Sequence, residues 1–427
     1  MPASVLAQSD QQTVSKRDRT ILRDMAGQVA EAAAHPCQEE KARLWQQHND
    51  LALDRPLVLA FPEGAWEELL AADGFEHKTE SAHARQCERF LYEKLYYWEH
   101  IKDDSVIEPV IPSPVVVRNS GFAVPCSTTS SGAHKGAQRY NCALESLDDI
   151  EKLEPPAITV DWDETRRLQA LNSELFGDIL TVRQYCAHPT MIAPLDIYIH
   201  WRGIENLFTD LIANPQMVHA AVSKMVDAFV DGMRTLEREG ALRLNNRGHY
   251  IGSGGTGFTA QLPQPGMPDD HVRVSDLWGS ATAQIFSEIS PQMHEEFALA
   301  HEKRFLELFG LSCYGCCEPL HLKLDLLFKH IPNLRRISIS PWADIGMSAE
   351  KLGRDYIFSW KPNPVLVSSP DWDPGRVRDV TRGFLEKTKG CITEIIMKDT
   401  HTVHNDPRRI DEWVRITREM IDEAHGL

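Results

Sequence analysis

The sequence lacks an excess of positive charge and lacks any long apolar run, and each absence removes a class of function. Acidic residues outnumber basic ones 62 to 45, for a formal net charge of −17, whereas nucleic acid and anionic lipid both call for basic patches that release or replace counterions. No stretch approaches the roughly 18 apolar residues of a membrane span, and Met1 to Asp10 has neither the basic start nor the apolar centre of a secretion signal. The expectation is a cytoplasmic protein acting on a small molecule, with no nucleic acid and no membrane. Nine cysteines in a long chain without such a signal argue for reduced thiols over a disulfide framework. Repeats and low-complexity tracts are absent too, and no Gly-x-Gly-x-x-Gly motif links a strand to a helix. The nearest, Gly252 to Gly257, runs on to Pro263, Pro265 and Pro268, which reads as a mobile active-site loop and not as a phosphate cradle.

What is present is an alternation. Residues 1 to about 20 are polar and expected to be mobile. From Arg19 to about His100 the apolar residues recur at helical steps, beginning with Ile21, Met25, Val29 and Ala32. Beyond, short β-branched runs alternate with amphipathic stretches: strands are expected at Ser105 to Ile111, Thr190 to Tyr198, Ala241 to Leu244, Leu311 to Tyr314, Arg336 to Ser340, Tyr356 to Trp360 and Cys391 to Met397. Helices are expected after Pro215 (Val218, Val222, Met225), after Pro291 (Met293, Phe297, His301) and after Pro407 (Ile410, Trp413, Ile416). This order predicts the α/β class, a (β/α)8 TIM barrel over residues 105–427 behind a helical N-terminal segment, residues 1–104. A doubly wound open sheet is the alternative.

A barrel gathers the polar residues that follow its strands at one mouth. Those are Glu108, Asp196, His200, Arg202, Asn245, Asn246, Cys313 to Glu318, Trp342, Asp344, Lys361, Asn363, Lys398, Asp399, His401 and His404. Densest is Cys313-Tyr314-Gly315-Cys316-Cys317-Glu318-Pro319, three thiols and a carboxylate within six residues. Thiolates suit zinc, and a site with fewer than four protein ligands leaves a position open for chemistry. Buried cysteines are equally small hydrophobes. In a regular strand Cys316 and Cys317 would point to opposite faces; both reach one site only if the chain has already left the strand, which Gly315 and Pro319 permit. His401 either completes a Cys/Glu/His metal set or caps the helix near Pro407. Arg202 either clamps a substrate carboxylate or phosphate or pairs with Glu205 or Asp210, and Trp278 walls a pocket or fills the core. Glu63 and His35 read as solvated.

The order of several short motifs resembles the uroporphyrinogen decarboxylase superfamily, nearer its cobalamin-dependent methyltransferases. Asp103-Asp104-Ser105-Val106 is similar to the entry of that family's first strand, and Asn214-Pro215 to its second crossover. Ser290-Pro291-Gln292-Met293 is similar to a helix start before the metal-binding strand; Lys361-Pro362-Asn363-Pro364 and Asp399-Thr400-His401 match later strand ends. Over residues 100–420 the resemblance implies a (β/α)8 barrel that moves a methyl group between a small substrate, as donor or acceptor, and a corrinoid on a partner protein, with zinc activating the substrate. The expected metal ligands are Cys316, Cys317, Glu318 and His401. Arg202, Asn245 and Trp278 are expected to bind substrate, and Glu108, Asp399 and His404 to serve catalysis. The chain departs from the family's His-x-Cys and distant Cys, carrying Tyr314-Gly315-Cys316 and His401 there. The open alternatives are a metal-free decarboxylase or other lyase, with Glu108 or Asp399 as acid/base, and a corrinoid- or metal-binding protein without turnover.

Overall fold

The computed structural model describes residues 14–132, 136 and 138–426. Of the polar stretch expected to be mobile, residues 1–13 lie outside the described residues. Helix α1 (Lys16–Ala33) starts soon after them, Ser15 Oγ accepting the Asp18 N–H at 3.0 Å as an N-cap does. Helix α2 (Pro36–Asn49) follows, then a strand, β1 (Leu57–Ala60), inside the segment expected to be helical. Leu57-Val58-Leu59-Ala60 is buried on both faces, and so short an apolar run carries no period by which to tell strand from helix.

The remaining long strands are β2 (Val110–Val115), β3 (Thr181–Cys186), β4 (Met191–Ile192), β5 (Trp278–Ala281), β6 (Leu311–Tyr314), β7 (Leu334–Ile339), β8 (Ile357–Trp360) and β9 (Ile392–Met397). Seven of the nine form one parallel sheet in the order β1-β9-β8-β7-β6-β5-β4, and β2 and β3 form a separate parallel pair. The last four strands lie within two residues of their expected bounds. Thr190 to Tyr198 is different: after β4, Pro194 opens helix α3 (Pro194–Arg202), with Pro at a first-turn position that needs no N–H donor and Leu195, Tyr198 and Trp201 buried on one side. Ala241 to Leu244 forms no strand; Arg243 donates to the Gly240 and Leu242 carbonyls at 2.8 and 2.7 Å and holds it irregular. Helix α4 (Pro215–Arg238) buries Val218, Val222 and Met225, and α5 (Arg408–His425) buries Ile410, Trp413 and Ile416, as the periodicity predicts. Among the described residues no helix is long and apolar enough to cross a membrane.

One edge of β2 lacks amide donors. The carbonyls of Pro109 and Val115 accept from Thr181 and Ala187 on the β3 side, at 2.8 and 3.2 Å, so the alternate residues Pro112 and Pro114 face the other edge, where neither has an N–H to give. The free edge of β1 is satisfied by side chains: Asp104 Oδ2 and Asp103 Oδ2 accept from the N–H groups of Val58 and Ala60 at 2.8 and 2.9 Å.

The two faces of the sheet differ. Ile337, Ile339, Phe358, Trp360, Ile395 and Met397 belong to the main core cluster that the helices cover. The alternate residues place charge on the inner face, where Arg336 on β7 lies 3.1 Å from Glu394 on β9, both essentially without solvent exposure. Asn49 Oδ1 accepts from Arg336, His48 Nε2 sits 3.2 Å from Glu394, Gly255 N–H donates to Glu394 at 2.9 Å, and Ser359 donates to the same carboxylate. The segment Gly252 to Gly257 is thus a buried plug, not a mobile mouth loop. At Gly255 a Cβ would stand 2.5 Å from Glu394 Oε2 and 2.7 Å from the Trp45 ring, so only glycine permits the approach.

Removing one partner of such a pair leaves an uncompensated buried charge, so Arg336→Met should cost about 3–5 kcal/mol in urea unfolding. Burial alone would raise the Glu394 carboxyl, but Arg336, His48 and Lys361 hold it down to about 2 from 4.5. Its stabilisation is therefore complete above pH 4.5 and is lost as pH falls through about 2. Urea titrations across that window should show the loss in the wild type and a smaller one in Glu394→Gln.

Candidate functional site

Strand β6 ends at Tyr314, and Gly315, with φ +93°, turns the chain off the sheet. A Cβ there would meet Leu320 Cδ1 at 2.5 Å and would also be strained by the left-handed backbone. Three hydrogen bonds fix the turn: Gly315 N–H to Ala281 O at 2.9 Å, Ser253 Oγ to Gly315 O at 2.7 Å, and Ser338 Oγ to Cys316 O at 2.9 Å. The plug and β7 therefore hold the thiol loop. Because the chain has left the strand, Cys316 and Cys317 do not diverge to opposite faces; their Sγ atoms are 3.6 Å apart.

Strand β9 supplies the other side. Lys398 Nζ donates to Cys316 Sγ at 3.4 Å, and the Cys317 S–H has two acceptors at 3.6 Å, Cys316 Sγ and Asp399 Oδ2, of which it serves one at a time. Asp399 has φ +57°, and its N–H donates to Glu63 Oε2 at 2.9 Å. Glu63 is exposed, as its sequence context implies, yet it positions a residue of the site. The Cys317 S–H and then the Lys398 charge outweigh burial and lower the Cys316 thiol to about 7. Cys317 moves the other way, held protonated by its hydrogen bond to Cys316 and by burial. Burial alone would lower the Lys398 ammonium, but Tyr250, Cys316 and Asp399 around it raise it. The result is a thiol of lowered pKa with a second S–H and a fixed cation beside it.

The expected zinc ligands do not converge. The Glu318 carboxylate turns back into the protein, Oε1 accepting from Thr282 Oγ1 at 2.8 Å and Ala283 N at 3.2 Å, Oε2 from Cys316 N at 2.9 Å. His401 is exposed, and its Nδ1 lies against Gly64, where a Cβ would be 2.8 Å away. Among the described residues no three His, Cys, Asp or Glu side chains are grouped to hold a metal ion, and the Lys398 ammonium lies against the Cys316 sulfur. The donor set does not fit zinc as expected.

Other expected residues lie apart from the thiols in their contacts. Glu108 precedes β2 and pairs with Arg183 at 2.8 Å. Arg202 pairs with Asp210 through Nε at 2.6 Å and Nη2 at 3.1 Å, the scaffold alternative of its two readings. The Asn245 side-chain amide donates to the Trp278 carbonyl and accepts from the Trp278 N–H, both at 2.9 Å, and the Trp278 ring is buried under Arg336. His404 Nε2 is 3.0 Å from Ser368 O on the exposed rim. Lys398 and Lys361 were legible only as members of the mouth; Ser253, Ser338 and Thr282 carry no sequence signal because hydroxyls bonding to loop atoms have no spacing rule.

With this geometry in view, the chain can be set beside known proteins. Its fold is similar to that of a methyltransferase from Methanosarcina mazei. The match has a TM-score of 0.51 and 11% identity and covers 89% of this chain and 98% of that one. No protein-family model and no curated protein matches the sequence. At this identity the likeness concerns the fold.

If Glu318 and His401 serve the loop and the rim and not a metal, Glu318→Gln and His401→Ala should leave the zinc content after reconstitution and desalting at the wild-type level by elemental analysis. Loss of zinc in either folded variant would return that residue to a metal site.

Proposed function

We propose that the protein is a methyltransferase of the uroporphyrinogen decarboxylase superfamily, built as a (β/α)8 barrel opened at the β1–β2 seam, in which Cys316 receives and returns the methyl group. Eight strand positions support the barrel once β3 and β4 are taken as one broken strand: only Ala187–Thr190 separate them, and β3 pairs with β2 while β4 pairs with β5. The observation that carries the function is the Lys398–Cys316–Cys317 contact at the carboxyl ends of β6 and β9, the end where such barrels do chemistry.

In this reading the Cys316 thiolate attacks the methyl carbon of a small donor; the S–C bond forms as the donor's bond to that methyl breaks, and the leaving group departs with the electron pair. Transfer to the acceptor restores the thiolate. Lys398 supplies the positive charge for which zinc was expected, keeping the sulfur ionised near neutrality. Cys317 keeps its proton and orients the attacking lone pair. The resemblance implies a corrinoid on a second protein as the other methyl partner, a source of a strongly nucleophilic cobalt centre when bound. Soluble, cytoplasmic operation accords with the same reading.

The test is the pH dependence of alkylation. Iodoacetamide modification of Cys316, followed by peptide mass spectrometry, should rise with an inflection near 7 in the wild type and move to higher pH in Lys398→Met and in Cys317→Ser. An inflection at the ordinary thiol value of about 8.5 in the wild type would remove the thiolate and the proposal with it.

A further inference from the structure

Beside the thiols, the inner face carries one cation with no carboxylate in direct contact; Glu394 reaches it only through the Ser359 hydroxyl. Lys361 is the first residue past β8 and is 3% exposed. Its Nζ donates only to Ser359, to the carbonyl at 3.2 Å and to Oγ at 2.5 Å, and among the described residues no carboxylate lies within ion-pair distance of it. The neighbouring charges are matched. Arg336 faces Glu394, and Lys398 faces Asp399 at 3.5 Å and the Cys316 sulfur. An ammonium left alone in a buried position is costly unless something completes it.

A second observation points to the same place. Ser340, the first residue past β7, is fully buried, and its Oγ has no hydrogen-bond partner. The strand pairing puts it beside Lys361: Ile339 is opposite Trp360, and the Lys361 N–H donates to Ile339 O at 2.9 Å. Ser340 also continues the inward alternation of Arg336 and Ser338. Ser338 already bonds the Cys316 carbonyl, and the charge on Cys316 is near enough to act on Lys361. An ammonium without a contacting carboxylate, an idle hydroxyl and the reactive sulfur thus lie on three consecutive strands, β8, β7 and β6.

We infer that Lys361 and Ser340 form a binding site for a single carboxylate group of the substrate, which presents the reacting carbon to Cys316. One ammonium and one hydroxyl suit a monoanion; a phosphate dianion would add a second negative charge to a buried position. The inference rests on Cys316 as the reacting atom, and it narrows the substrate to small molecules that bear a carboxylate. Burial lowers the Lys361 ammonium to about 7, so a bound anion is expected to be accompanied by proton uptake at neutral pH.

Two alkylating agents of the same size separate the ideas. Iodoacetate carries the carboxylate and iodoacetamide its neutral counterpart, and their rates at Cys316 can be compared as a ratio that cancels any change in thiolate population. The ratio should exceed that for a small free thiol by about tenfold or more and fall about tenfold in Lys361→Met and several-fold in Ser340→Ala, as expected for loss of a hydrogen bond to a charged group. An equal ratio in wild type and Lys361→Met would overturn the anion site. Failure of iodoacetamide to modify Cys316 at all would instead sink the thiolate reading. In that case calorimetric titration with propionate decides the anion site alone: binding by the wild type and none by folded Lys361→Met supports it, and no difference between them removes it.

Discussion

The Arg336–Glu394 pair is the constraint from which the rest of the structure follows. Two strands apart on the inner face, each charge has lost its water and must be completed by protein. Arg336 takes the Asn49 side chain and the Thr256 carbonyl at 3.2 Å, and Glu394 takes His48, Ser359 and the Gly255 amide. Those partners come from α2, from β8 and from the glycine-rich segment, so satisfying one ion pair pins three separated parts of the chain to the sheet. Burial keeps His48 neutral by lowering its pKa, so the pair is not overloaded with a second cation. Helix α2 is therefore part of the packing around the sheet interior, not an appendage to it.

The same plug that serves the ion pair also serves the site. Ser253, between two glycines of the plug, holds the Gly315 carbonyl, and Gly315 begins the turn that carries both thiols. A change that loosens the Arg336–Glu394 contacts thus reaches the thiol loop through the plug. The strand edges are protected as well: prolines blank one side of β2, and Asp103 and Asp104 cover β1, with Arg418 of α5 bound to Asp104. Exposed parallel edges invite pairing with other chains, and here both edges are blunted by covalent chemistry or by buried carboxylates.

How much of this was legible in the sequence depends on which physical rule writes each part. Long amphipathic helices such as α4 and α5 show their period, and the last four strands are apolar runs bounded by turn residues, so both stand out. β1 and β4 do not. Four and two residues are too few to carry a period, and Pro194 turns an apolar stretch into a helix. The plug was misread because glycine richness signals a backbone that can go where others cannot, which fits a mobile loop and a buried close approach equally well. At the site, the Cys316–Cys317 step off the strand was foreseeable from Gly315, and Asp399 from its place after β9. Glu318 and His401 looked like ligands because residue type suggests chemistry; only three dimensions reveal that a carboxylate has already spent its lone pairs on Thr282, Ala283 and Cys316.

The electrostatics of the mouth then bear on the direction of the proposed chemistry. Methylating Cys316 would erase its negative charge while leaving Lys398 buried beside a neutral thioether, with Asp399 the one carboxylate among the described residues within ion-pair reach. A charge removed from such a pair costs more than it would in water, because the surrounding protein cannot reorganise as solvent does. The methylated state is therefore the strained one, and returning the methyl group restores the ion pair. A zinc thiolate favours transfer by weakening the metal–sulfur bond on alkylation; here an ammonium held at 3.4 Å would produce the same bias through lost Coulomb energy. In the proposed reaction Lys398 would then govern turnover as well as thiol ionisation. Its effect would appear in how long the methyl stays on sulfur, not only in how fast it arrives.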